Sequence, residues 1–64
     1  MYKFIEYEKE NGVATLWLNR PEKRNCINWE MLNEMAEVIE KAENDDEVRA
    51  LVVRGRGDTF CAGA

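Results

Sequence analysis

The sequence has 64 residues, 45% of them hydrophobic and 34% charged, with 9 Lys+Arg against 13 Asp+Glu for a net charge of −4. That length allows one domain, spanning 1–64, and a domain so small buries only about 60% of its unfolded surface, so an independent fold needs a staple or a partner. The acidic balance excludes the basic excess of a non-specific nucleic-acid binder, and no apolar run approaches the roughly 18 residues of a membrane span.

In chain order, "YKFIEYEKE" is rich in β-formers and alternates, with Phe4, Glu6 and Glu8 on one face and Ile5 and Tyr7 on the other. It is too polar and acidic for a signal or transit peptide. Asn11-Gly12 follows, the dipeptide that suits a type I′ hairpin turn because both central residues need positive φ. "VATLWLN", Val13 to Asn19, is apolar on both faces, which predicts a strand covered on both sides. "RPEKRNCIN" is a charged break that begins where Pro21 ends the strand.

Asn28 fits a helix N-cap and Glu30 the first turn. From Trp29 to Glu43, Leu32, Met35, Ala36, Ile39 and Ala42 make one apolar stripe, with Met31 and Met35 read as core. Glu34, Glu37, Glu40 and Lys41 read as the solvated face. "NDDE" closes the helix, and "VRALVVR", Val48 to Arg54, is a short apolar strand. The order is hairpin, helix, strand. Its last three elements form a βαβ unit between parallel strands, in an α/β fold that lacks its closing elements. An N-terminal piece of a larger α/β enzyme fits this order. A small non-catalytic βαβ module binding through its open sheet is the alternative.

Cys26 and Cys61 read as free thiols of a reducing compartment, which places the protein in the cytoplasm. With no histidine and no cluster at metal-ligand spacing, no metal site is expected.

The closing "GRGDTFCAGA", Gly55 to Ala64, leaves the carboxyl end of the third strand, where α/β sheets bind ligands. Position 60 is Phe, so the G-x-G-x-x-G dinucleotide pattern fails, and no G-K-[ST] follows for a phosphate loop. Arg56-Gly57-Asp58 spells an adhesion tripeptide, but a plain turn explains it, with the glycines at positive φ and Asp58 or Thr59 bonding to the local backbone. Cys61 lacks a histidine to activate it. In the small residues Cys61 to Ala64, a ligand can approach the backbone and free N–H groups can hold an anion or oxyanion.

"LWLNRPEKRNCIN", Leu16 to Asn28, and "DDEVRALVVRGRGDTFCAGA", Asp45 to Ala64, together resemble the enoyl-CoA hydratase/isomerase family, the crotonase superfamily. The likeness covers essentially the whole chain in several motifs of matching order and spacing. It implies an N-terminal β-hairpin plus βαβ portion of a crotonase-like (ClpP/crotonase) fold, incomplete in this chain. It further implies an acyl-CoA thioester substrate, an oxyanion hole stabilising a thioester enolate, and a parent that is a homotrimer or hexamer. Coenzyme A arrives as part of the substrate, so no separate cofactor is implied.

Carried over residue by residue, the Ala64 backbone N–H is one oxyanion donor. Lys23, Arg24, Cys26, Ala62, Gly63 and Ala64 lie along the CoA, with Lys23 or Arg24 toward its phosphates. Cys26 and Cys61 depart from the family's usual small residues there. Glu30, Glu34 and Glu37 match no catalytic motif. The family's second oxyanion donor and its acid/base carboxylates have no counterpart here, so the 64 residues alone are expected to be inactive.

Overall fold

The computed structural model describes residues 2–63. Strands β1 (Ile5–Glu10), β2 (Val13–Leu18) and β3 (Ala50–Gly55) form one mixed sheet in that order, with helix α1 (Trp29–Glu43) joining β2 to β3. β1 and β2 are antiparallel, with Ile5 opposite Leu18 and Glu10 opposite Val13. Asn11 and Gly12 close that hairpin with φ of +53° and +84°, the pair of positive angles a type I′ turn requires. β2 and β3 are parallel, with Val13 opposite Ala50 and Leu18 opposite Gly55. Both strands therefore deliver their following loops to the same end of the sheet.

The helix begins where its cap predicts. Asn28 Oδ1 accepts from Met31 N at 2.7 Å, satisfying one of the otherwise orphaned first-turn donors. Of the expected stripe, Ala42 is buried and Met35 half-buried, whereas Leu32, Ala36 and Ile39 are exposed; Met31, read as core, and Val38, outside that stripe, complete the buried face. Leu32 and Ile39 remain 43% and 37% exposed. The sequence carries two adjacent apolar stripes, and periodicity alone does not choose between them. The helix lies over β1 and β2, so the stripe facing those strands is the packed one.

Beneath the helix, Ile5, Leu16, Leu18, Met31 and Val38 form the core, with Phe4, Tyr7, Ile27, Leu51 and Cys61 packed around it. Only one face of β2 is covered. Ala14, Leu16 and Leu18 are buried, whereas Val13 is exposed and Thr15 and Trp17 are half-buried. The expectation of burial on both faces fails for this segment because α1 is the one helix among the described residues. On the open face a polar sandwich takes the helix's place. The guanidinium groups of Arg54 and Arg56 lie 4.6 and 3.8 Å from the centre of the Trp17 ring. Arg56 also pairs with Glu6 at 2.6 Å, and the Trp17 indole N–H donates to Glu8.

One helix carboxylate is not the solvated group expected. Glu34 accepts the backbone N–H groups of Lys3 and Phe4 through its two oxygens, at 2.7 and 2.8 Å. This ties the segment before β1 to the middle of α1.

Candidate functional site

Two loops leave the same end of the sheet, residues 19–28 after β2 and 56–63 after β3. The first starts as a 3-10 turn, Pro21–Lys23, in which proline supplies the fixed φ and gives up no needed donor. Arg24 and Asn25 then adopt left-handed φ of +53° and +59°, which reverses the chain toward the helix. Arg20 Nη1 donates to Cys26 O at 2.7 Å and closes this loop on itself.

The second loop packs against the first along its length. Arg56 N donates to Leu18 O at 2.8 Å, Ala62 N to Arg24 O at 3.0 Å, and Ile27 N to Gly63 O at 2.8 Å. Arg24 Nε reaches Thr59 Oγ1 at 3.5 Å. Asn25 joins the two loops from inside. Its Nδ2 donates to Arg56 O at 2.9 Å and Thr59 O at 2.7 Å, while its Oδ1 accepts from Arg20 N at 2.7 Å.

Gly55 makes this approach possible. A Cβ there would sit 2.6 Å from Phe60 O and 2.9 Å from Asn25 Nδ2. Of the two turn glycines expected at positive φ, Gly57 has it at +83°, whereas Gly55 is a strand residue whose missing Cβ, not its φ, is the requirement. The local turn bond expected of Asp58 or Thr59 is replaced by the contact of Thr59 with Arg24.

An open cleft of about 320 Å³ lies between the loops, lined by Pro21, Arg24, Arg56, Gly57, Asp58 and Thr59. Ile27, Asn28, Trp29 and Leu32, at the start of α1, line a separate apolar hollow of about 280 Å³, with Trp29 80% exposed. The Arg24 guanidinium in the cleft suits an anionic part of a ligand and the hollow an apolar part, while the Arg56 guanidinium is committed to Glu6 and Trp17.

Of the residues singled out from sequence, Arg24, Cys26, Ala62 and Gly63 come together through the Arg24–Ala62 and Ile27–Gly63 backbone bonds. Arg24 lines the cleft, while Lys23 is exposed and outside its lining. Cys26 and Cys61 are free, half-buried thiols. The Ala62 N–H is spent on Arg24 O, so it does not serve as a free anion donor. Ala64, the expected oxyanion donor, lies outside the described residues. Arg56 is drawn onto the sheet by Glu6 and Trp17, so the tripeptide it begins is part of the scaffold and not a free display loop. Sequence reasoning passed over Asn25, Glu34 and the lining role of Arg56. The available signal for Asn25 was an Asn four residues after a proline, a residue type that tolerates left-handed backbone.

The sequence pattern of a family described as "Enoyl-CoA hydratase/isomerase" matches residues 8–64. The chain is 48% identical over 63 residues to "1,2-epoxyphenylacetyl-CoA isomerase" of Escherichia coli (strain K12), covering 98% of this chain and 24% of that protein. It is 46% identical over 60 residues to a "Probable enoyl-CoA hydratase" of Mycobacterium bovis, covering 94% of this chain and 24% of that protein. A crystal structure of an enoyl-CoA hydratase/isomerase from Mycobacterium paratuberculosis superposes with a TM-score of 0.97 at 42% identity, covering 100% of this chain and 25% of that one. The chain thus spans about a quarter of the length of the curated relatives it matches.

Proposed function

The chain belongs to the enoyl-CoA hydratase/isomerase family, with the fold of that family's N-terminal part, and from this premise we propose that it is the N-terminal portion of an enzyme acting on acyl-CoA thioesters. The reaction we assign is addition of water across the double bond of a 2-enoyl-CoA, through a thioester enolate held in an oxyanion hole. The observation that carries this reading is the pair of loops zipped together at the carboxyl ends of β2 and β3. Their backbone bonds hold Ala62 and Gly63 against Arg24 and Ile27 beside Cys26, and Arg24 lines the cleft between them.

In this reading the CoA portion lies across both loops, with the Arg24 guanidinium facing its phosphates, where a planar cation pairs well with phosphate oxygens. Lys23, one residue earlier and exposed, adds positive potential at the mouth. The thioester oxygen is directed to the backbone N–H of Ala64, the next residue after the Gly63 carbonyl that holds Ile27. As negative charge develops on that oxygen, this N–H stabilises the enolate more than the ground state, which is what lowers the barrier.

The proton-transfer groups are assigned outside these 64 residues. Glu34 is occupied by the Lys3 and Phe4 amides, and Glu30 pairs loosely with Lys3 on the exposed helix face. The segment alone is therefore proposed to be inactive. The whole enzyme is proposed to be a cytoplasmic homotrimer or hexamer that needs no cofactor beyond the coenzyme A of its substrate.

The test is hydration of crotonyl-CoA by protein expressed from the full reading frame, followed by loss of the enoyl absorbance. Turnover with 3-hydroxybutyryl-CoA as product is expected. A folded, full-length protein that neither hydrates nor isomerises enoyl-CoA substrates would overturn the assignment.

A further inference from the structure

Asn25 is the buried polar side chain among the described residues, with 0% of its surface exposed. Burying an amide is unfavourable unless its donors and acceptor are all paired. Here both Nδ2 hydrogens go to carbonyls of the second loop, those of Arg56 and Thr59, and Oδ1 takes the Arg20 N–H of the first. The Asn25 backbone N–H also donates to Arg20 O at 2.8 Å. No other side chain of this size offers two donors and an acceptor in one plane. A residue needed only to fill the space would be apolar.

We propose that Asn25 is a positioning residue whose carboxamide sets the spacing of the two loops, and with it the alignment of the thioester against the backbone of the second loop. The inference rests on the acyl-CoA reading above. Its route is short. Asn25 is chained directly to Arg24, whose carbonyl holds Ala62 N, and it sits two residues before Ile27, whose N–H holds Gly63 O. Without the carboxamide, those two backbone bonds and the 3.5 Å contact of Arg24 with Thr59 remain between the loops beyond the Arg56–Leu18 bond at their base. A displacement of about 1 Å in a reacting geometry costs on the order of 10²-fold in rate.

The test uses the full-reading-frame protein with Asn25→Asp and Asn25→Gly. The first keeps the shape and the Oδ1 acceptor but turns an oxygen toward two carbonyls. The second removes the carboxamide and accommodates φ +59° without strain. Backbone amide exchange at Ala62 and Ile27 is expected to rise about tenfold or more in both. Crotonyl-CoA hydration per folded site is expected to fall about 10–100-fold in kcat, with KM moving less. Unchanged exchange in both variants overturns the loop-spacing role. Faster exchange with kcat unchanged overturns the positioning role.

Should neither variant fold, the wild-type protein decides. Its Asn25 side-chain NH2 protons are expected to be strongly protected from exchange, and rapid exchange overturns the proposal. A wild-type protein inert toward acyl-CoA removes the functional reading and the positioning role together. The exchange rates still report whether the carboxamide holds the loops, so the two failures are separable.

Discussion

Replacing Gly55 by alanine introduces one methyl group at the closest approach of the two loops. The new Cβ would lie 2.6 Å from Phe60 O, 2.8 Å from Phe60 Cα and 2.9 Å from Asn25 Nδ2, where ordinary contact begins near 3.4 Å. Two of these neighbours are backbone, so rotamer change cannot relieve them, and the second loop must move by about 0.8 Å. Forcing an extra methyl into a packed site costs about 1–3 kcal/mol. If the shift also detaches Asn25 Nδ2 from Arg56 O or Thr59 O, an unpaired buried donor adds about 1–3 kcal/mol. The expected loss is about 1–3 kcal/mol if the carboxamide bonds hold and about 2–6 kcal/mol if one breaks, read as a lower urea midpoint at unchanged slope, by tryptophan fluorescence and circular dichroism. In an Asn25→Gly background the same substitution should cost less, because one of the three clashes is gone. A loss below about 0.5 kcal/mol in the wild-type background, the size of an ordinary surface change, would refute the claim that close approach is what demands glycine there.

Truncating Met31, fully buried beneath β1 and β2, to alanine should destabilise the protein by about 2–5 kcal/mol in the same denaturation assay. Glu34→Gln weakens the acceptors for the Lys3 and Phe4 amides and should speed hydrogen exchange at those two positions severalfold while leaving the hairpin amides unchanged. Lys9 bridges Asp45 and Glu47 at 2.8 Å each, and these hydrogen bonds hold the Lys9 amine well above its usual value and the Asp45 carboxyl below its own. The Asp45 contribution is present above the ordinary carboxylate value of 3.8 and lost as pH falls through its depressed folded value. The Lys9 contribution is lost only as pH rises through its raised one. Lys9→Met should therefore lower the urea midpoint at pH 7, and that gap should shrink progressively as pH falls below 3.8 and through Asp45's depressed value, in a salt-sensitive way.

Much of the fold was legible because it is locally encoded. The Asn11-Gly12 turn, the Asn28 cap, the helix limits and the order of elements along the chain each rest on a few neighbouring residues. What was not legible depends on where distant elements meet. Choosing the Met31–Val38–Ala42 stripe over Leu32–Ile39 needs to know that α1 crosses β1 and β2. Asn25 and Glu34 look like surface polar residues until the second loop and the N-terminal segment arrive to bond with them. The ends of β3 shifted for a similar reason. Val48 and Arg49 read as strand, but Val48 N is taken by Asp45 O and Arg49 N by Gly12 O, so pairing with β2 starts at Ala50. The candidate site was legible as motif and not as geometry. Its carbonyls and amides carry no side-chain signature, and the Ala62 N–H turned out to be structural.

On the proposed reading, this segment supplies a backbone donor and a CoA cleft to a thioester enzyme. The most direct test is crotonyl-CoA hydration by full-reading-frame protein with Ala64 intact or replaced by proline, which has no backbone N–H. The wild type should turn over, Ala64→Pro should lose about 10²–10³ in kcat, and residues 1–64 alone should show no turnover. Full activity in the proline variant, or hydration by the 64-residue segment itself, would contradict it.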